Sequence, residues 1–255
     1  MRMYMLPNIA IPIVEHCNLN CKGCLHFCHK GQTPYYYDID RFRMDIKKLH
    51  LYFEKVGSVR LYGGEPLLHN QLVEFIKIIR EYYPKSELKL LTNGLLITRI
   101  QPTLIAALKK YQVKIYWSVY PIITTEEYAE TIKFMDSHGL HYLVNYINEF
   151  CAFYEPNGNI DPQYAYKRCS GKYCHVMRNG KISCCPAPLV GHLINELGGN
   201  IDFSDSVLDL YGETSAEEIL DFLSKPHPVC KYCTVPRYFA WQQQNENYSL
   251  DDWMC

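Results

Sequence analysis

The sequence predicts an α/β fold, a partial (β/α) barrel of about five to six units over residues 1–150, followed by a small cysteine-bearing region over residues 151–255. Three observations carry this reading. Strand-like and helix-like segments alternate through the first part of the chain, the pattern of a parallel sheet with helices packed outside. That part is shorter than the ~250 residues of a complete eight-unit barrel. After Ile147 the alternation stops, and residues 154–200 are rich in Pro, Gly, Cys and Asn with only short apolar runs.

Each element has its own signal. Asn8–Glu15 is short, apolar and β-branched, and reads as a strand. From Ile39 the apolar positions Ile39, Phe42, Ile46, Leu49, Phe53 and Val56 step by three and four, which is the spacing of an amphipathic helix burying one face. Ser58–Tyr62 is the next strand, stopped by Gly63-Gly64. Leu72, Phe75, Ile76 and Ile79 mark a second helix. Leu88–Leu91 is a strand ending at Thr92-Asn93-Gly94. Residues 101–111 read as helix, Lys114–Val119 as strand, 125–138 as helix with Gly139 as its stop, and 140–146 as strand. A last helix starts at Thr214 or Ser215, since Thr214-x-x-Glu217 and Ser215-x-x-Glu218 both fit a capping box.

Charge and composition exclude several classes of function. The 255 residues carry 26 basic and 27 acidic side chains, a net charge of −1, so there is no electrostatic footprint for nucleic acid or an anionic membrane. No stretch reaches the ~18 apolar residues of a membrane span. Met1–Val14 is apolar but holds Pro7 and Pro12, lacks a small-residue cleavage site, and reads as a strand, not as a signal peptide. The expected location is therefore cytoplasmic, where thiols stay reduced. Against that background twelve cysteines point to metal or redox chemistry.

The cysteines are grouped. Cys17, Cys21, Cys24 and Cys28 lie together; Cys169, Cys174, Cys184, Cys185, Cys230 and Cys233 form a second set; Cys151 and Cys255 stand apart; residues 29–150 have none. Two groups imply two metal sites. The run Cys17-x3-Cys21-x2-Cys24 follows the first strand directly. Three thiolates in so tight a loop suit a four-iron cluster, which normally takes four and would here keep one iron open. Cys28 as a fourth ligand, or a zinc site built from Cys24, His26, Cys28 or His29, are the alternatives the spacing leaves.

This run resembles the signature of the radical S-adenosylmethionine (SAM) superfamily. Gly63-Gly64-Glu65-Pro66 after the second strand resembles that family's GGEP motif, and Thr92-Asn93-Gly94 and Ser118 end the third and fourth strands where the family places polar contacts. The resemblance covers the first ~120 residues. It implies a [4Fe-4S] cluster with one open iron on Cys17, Cys21 and Cys24, and S-adenosylmethionine held at Gly63, Gly64, Glu65, Thr92, Asn93 and Ser118. It also implies a 5′-deoxyadenosyl radical that abstracts a hydrogen atom from substrate. The chain departs from the pattern at Gly23, where the family usually carries an aromatic residue.

In the second group, Cys174 to Cys185 reads as a hairpin turning at Asn179-Gly180, and Cys230-x2-Cys233 follows downstream. This resembles the shortened SPASM, or twitch, extension of radical SAM enzymes. It implies an auxiliary [4Fe-4S] cluster on Cys174, Cys185, Cys230 and Cys233, with Cys169 and Cys184 in reserve. The same four cysteines also suit a structural zinc ribbon. The ending Trp241…Ser249-Leu-Asp-Asp-Trp253 loosely resembles the tails of small radical SAM proteins that accompany surface-polysaccharide or sugar biosynthesis; the alternative is an aromatic plug that simply fills a core.

Together these expectations describe a radical SAM oxidoreductase acting on a small, sugar-like substrate by dehydrogenase-type oxidation. The partners expected are that substrate or a peptide and a low-potential electron donor such as flavodoxin or ferredoxin, with neither nucleic acid nor membrane. Radical modification of a ribosomally made peptide is the alternative within the family, and a non-enzymatic iron–sulfur or zinc module is the alternative outside it. The 22 tyrosines, Tyr35-Tyr36-Tyr37 among them, offer faces to a sugar or serve as packing. No catalytic acid or base is identified by the sequence.

Overall fold

The computed structural model describes residues 4–28, 35–196, 198–244 and 249–255. His29, one of the zinc donors considered above, lies outside them. The chain divides into two compact units, Met1–Cys17 with Thr33–Asn148, and Asn18–Gln32 with Glu149–Cys255.

The first unit alternates strand and helix: β1 (Met5–Val14), α1 (Ile39–Tyr52), β2 (Lys55–Gly63), α2 (Leu72–Tyr82), β3 (Glu87–Thr92), α3 (Pro102–Lys110), β4 (Lys114–Val119), α4 (Thr125–Ser137) and β5 (His141–Tyr146). Its strands lie in the order β5-β4-β3-β2-β1, and every neighbouring pair is parallel. This is the expected partial (β/α) architecture. Ile9, Ile11, Ile13, Val59, Leu61, Leu88, Leu90, Ile115 and Trp117 share one face of the sheet by their two-residue spacing and register, and all are buried. Each such side chain contributes roughly 1.5–3 kcal/mol on burial. From the helix side, Phe42, Ile46 and Leu49 of α1 and Phe75, Ile76 and Ile79 of α2 close the core.

One local reading changes. The helical stripe from Ile39 ends at Tyr52, because Phe53 takes φ −131°, ψ 100°. Val56 falls on the three-residue step but belongs to β2. Tyr37 is packing: it is buried, meets Phe42 and Phe75 edge-on, and donates its hydroxyl to Asp45 Oδ2 at 2.5 Å. Arg41 completes the arrangement, its Nε 2.9 Å from Asp45 Oδ1. A buried carboxylate needs such partners.

The second unit holds β6 (Glu149–Tyr154), α5 (Pro162–Arg168), β7 (Val176–Arg178), β8 (Lys181–Ser183), α6 (Ala187–Val190), α7 (His192–Glu196), β9 (Leu208–Asp209), α8 (Ala216–Leu223) and β10 (Cys233–Ala240). β7 and β8 form the expected antiparallel hairpin. Asn179 and Gly180 turn it with φ of 50° and 75°, the primed turn that matches strand twist. β9 pairs with β8, and β10 pairs with β6, both antiparallel. Ser215, not Thr214, caps α8: its hydroxyl accepts the Glu218 N–H while the Glu218 carboxylate accepts the Ser215 N–H. β10 carries no alternation of buried and exposed residues, so its sequence lacks the period-two signal of a strand. The core of this unit gathers Tyr154, Val190, Ile194, Ile201, Val229 and Trp253 around Cys230, with Cys185 and Cys233 packed against it. Among the described residues no helix is long and apolar enough to cross a membrane.

Candidate functional site

In the first unit the residues of interest meet at the carboxyl ends of β1 to β4, where α/β folds bind ligands. Gly63 ends β2 with φ +153°, and a Cβ there would collide with the Val14 carbonyl oxygen. Glycine therefore lets the β2 end lie directly against β1, and the Gly64 N–H donates to Val14 O at 2.7 Å. One residue on, the Glu65 N–H donates to His16 O at 2.8 Å.

The Glu65 side chain turns inward and is fully buried. Oε1 accepts the Leu67 N–H at 2.9 Å and the Thr92 hydroxyl at 2.8 Å; Oε2 accepts the Asn93 N–H at 2.8 Å. Burial pushes this carboxyl up to about 7, opposed by those hydrogen bonds. The carboxylate thus ties the Gly63-Gly64-Glu65 turn to the end of β3.

Asn93 is held further. Its Oδ1 accepts the Leu95 N–H at 3.1 Å, its carbonyl accepts Trp117 Nε1–H at 3.1 Å, and its Nδ2 lies 3.7 Å from Cys17 Sγ. Trp117 was not singled out by sequence; its only signal was a large aromatic residue one position before Ser118. Ser118 is half-buried in β4, on the opposite face from Trp117, and pairs in register with Asn145. Cys17, Gly63, Gly64, Glu65, Thr92 and Asn93 are therefore joined in one network within the first unit.

Cys21 and Cys24 belong to the second unit, in a loop braced by the end of the chain. Cys21 forms a bridge with Gln243, the Lys22 N–H donates to Gln242 O at 3.0 Å, and Asn20 and Gln244 exchange bonds of 2.6 and 2.7 Å. Gln244 Nε2 donates to Asp252 Oδ2 at 2.7 Å, and Lys22 Nζ lies 3.6 Å from Asp252 Oδ1. Trp253 Nε1 donates to Cys24 O at 2.9 Å, and its ring packs on Phe27 at 5.3 Å. Gly23 has φ +63°, and a Cβ would lie 2.8 Å from Phe239 Cζ and 2.9 Å from Asp252 O. The departure from the aromatic pattern thus has a local cause: the chain's own tail fills that space. Of the two readings of the tail, the aromatic plug matches the buried Trp253; the bracing of the Cys21–Cys24 loop depends on pairing across more than 200 residues.

The loop sets the thiols apart electrostatically. Burial pushes Cys21 up to about 12, whereas a hydrogen bond from Cys28 holds Cys24 down at about 7 against the opposing cost of burial. Burial lowers His26 to about 4.

The second cysteine group also lies within this unit. Cys185 is raised well above the ordinary thiol value by a hydrogen bond with Cys184 and by burial, with Cys174 adding repulsion. Burial first, then Cys185, Cys230 and Cys169, raise Cys233. Burial raises Cys230 and Cys169 as well; Cys185 and Cys169 add to the first, Cys185 and Cys174 to the second. So Cys185 and Cys169 raise both Cys230 and Cys233, and Cys174 adds to the rise of Cys169 and Cys185. Every cysteine is a free thiol, and among the described residues no three His, Cys, Asp or Glu side chains are already drawn together as a metal-ion site. The donor chemistry fits iron–sulfur clusters, which take soft thiolates in sets of this size.

Residues 11–120 match the profile of the Radical SAM superfamily. A GTP 3′,8-cyclase of Campylobacter curvus is 31% identical over 94 residues, covering 35% of this chain and 28% of that protein. One of Sulfurimonas denitrificans is 30% identical over 113 residues, covering 42% and 34%. The chain thus spans about a third of the length of the curated relatives it matches. Among solved structures, BtrN in complex with AdoMet and 2-DOIA superposes with a TM-score of 0.58 at 16% identity, covering 92% of this chain and 95% of that one. BtrN in an open conformation gives 0.51 at 17%, covering 91% and 94%.

Proposed function

We propose that this chain, a member of the Radical SAM superfamily through its residues 11–120, is an oxidoreductase that takes a hydrogen atom from a small, polyhydroxylated, sugar-like substrate. The family's cofactors, a [4Fe-4S] cluster with one open iron and S-adenosylmethionine, supply a 5′-deoxyadenosyl radical when bound. The protein's part is to hold these groups, orient the substrate and keep water away.

On this reading Cys17, Cys21 and Cys24, three thiols within eight residues, ligate the cluster. Gly63 and Gly64 present backbone to S-adenosylmethionine, with Thr92, Asn93 and Ser118 at the neighbouring strand ends. Glu65 is tied up by three internal donors, so its service is to fix the shape of that cradle. In the second unit Cys185, Cys230 and Cys233 hold an auxiliary [4Fe-4S] cluster. Cys169 takes the place of Cys174 as the fourth ligand in this proposal, because its charge acts on both Cys230 and Cys233.

The observation that carries the substrate class is the likeness to BtrN over 92% of this chain, since BtrN was solved with 2-DOIA beside AdoMet. The cyclase likeness reaches 42% of this chain at most in the two proteins compared. The test is an anaerobic incubation with S-adenosylmethionine and aminocyclitols or polyols deuterated at their carbinol carbons. Deuterium in 5′-deoxyadenosine together with a ketone product supports the proposal. Transfer only from a peptide would replace it with the peptide-modifying reading.

A further inference from the structure

We propose that Asn93 is a positioning residue for the redox chemistry of the cluster: its side-chain amide donates an N–H···S hydrogen bond to Cys17 and so raises the cluster's reduction potential. The inference rests on the reading of Cys17 as a ligand. It goes beyond that reading by giving Asn93 a task directed at the protein's own sulfur and not at S-adenosylmethionine.

The contact is 3.7 Å from Nδ2 to Sγ, an ordinary length for a donor to sulfur. Its direction is settled by the other end of the amide. Oδ1 accepts the Leu95 N–H at 3.1 Å, so the oxygen is the end facing Leu95 and the NH₂ is the end facing Cys17. The residue has little freedom to turn away. Its N–H is bound by the buried Glu65 carboxylate at 2.8 Å and its carbonyl by the Trp117 indole at 3.1 Å. Asn93 itself is 6% exposed, so water competes weakly for the donor.

Such a donor acts on the electron affinity of the site. Adding an electron puts more negative charge on the ligating sulfurs. A fixed N–H aimed at one of them binds the reduced form more tightly than the oxidised form, and hydrogen bonds to sulfur are among the levers that set iron–sulfur potentials. The partner pair also explains why a residue at the end of β3 is fixed from three directions: a donor free to rotate would lose most of its effect.

The experiment is an anaerobic redox titration of the reconstituted protein, followed by electron paramagnetic resonance with no S-adenosylmethionine present. Wild type is compared with Asn93→Asp, which keeps the acceptor for Leu95 and loses the donor, and with Asn93→Ala. Trp117→Phe removes only the bond to the Asn93 backbone carbonyl, keeps the side-chain amide with its Leu95 and Glu65 anchors, and serves as a control for a change in this region. The first two are expected to shift the midpoint to lower potential, about tenfold in the reduced-to-oxidised ratio, which is about 59 mV for one electron. Trp117→Phe should titrate like wild type. An unchanged midpoint in both Asn93 variants with iron intact overturns the proposal. So does an equal shift in Trp117→Phe, or loss of the cluster from both Asn93 variants, which would make Asn93 a structural residue. A wild-type protein that takes up no cluster at Cys17 would instead overturn the functional reading itself.

Discussion

Glu65 Oε2 accepts the backbone N–H of Asn93 at 2.8 Å, while Oε1 takes the Thr92 hydroxyl at the same distance. A carboxylate with no exposure is thereby the joint between two glycine-bearing turns at the ends of β2 and β3. All three of its partners, counting the Leu67 N–H, are donors.

That donor-only environment predicts the outcome of Glu65→Gln. The amide must aim an NH₂ at a group that also donates, leaving two buried donors facing each other. The expected cost is about 1–3 kcal/mol, read as a lowered denaturation midpoint, together with weaker S-adenosylmethionine binding by calorimetry. A Gln variant as stable as wild type would show that the carboxylate is not the joint.

Gly23 predicts a failure of restoration. Placing the family's aromatic residue there, as Gly23→Tyr, sets a side chain at φ +63°, which costs about 1–2 kcal/mol in itself. It also drives Cβ against Phe239 and the Asp252 carbonyl. Iron retention after chelator challenge should fall below that of wild type. Equal retention would mean that the tail can move aside.

Trp253 separates hydrogen bonding from packing in the same loop. Trp253→Phe keeps the contact with Phe27 but removes the donor to Cys24 O, an expected loss of about 0.5–1.5 kcal/mol. Trp253→Ala also opens a cavity in the core of the second unit, with an expected cost of about 3–5 kcal/mol. Thermal melts of the two variants should rank in that order, with faster iron release from the Ala variant.

The second cysteine group yields a count. Two cubanes give about eight irons per chain. Cys185→Ala and Cys169→Ala should each lower this to about four with S-adenosylmethionine binding retained, whereas Cys174→Ala should leave eight. The reverse result for Cys169 and Cys174 would restore the hairpin-proximal ligand that the spacing first suggested. Zinc in place of the second four irons would establish a structural ribbon.

Much of this architecture was legible in residue order because its causes are local. Short apolar runs bounded by turn residues define β1 to β5, three-to-four spacing defines the first helices, the Asn179-Gly180 pair defines a primed turn, and Ser215 with Glu218 caps α8. What escaped depends on distant pairing. Val56 continued a helical spacing by coincidence and was claimed by β2. β10 lacks an alternating face because most of its residues are exposed. Trp117 supports Asn93 across two strands, and Trp253 braces Cys24 from the far end of the chain. The choice between Cys169 and Cys174 is likewise invisible to spacing, since both precede the hairpin.

The central claim is that this chain builds an open iron–sulfur site that cleaves S-adenosylmethionine. The most direct measurement is chromatographic detection of 5′-deoxyadenosine from anaerobically reconstituted protein given dithionite and S-adenosylmethionine, beside a Cys17→Ala variant. The account predicts product from the wild type and none from the variant. A fully iron-loaded wild-type protein that forms no 5′-deoxyadenosine would contradict it.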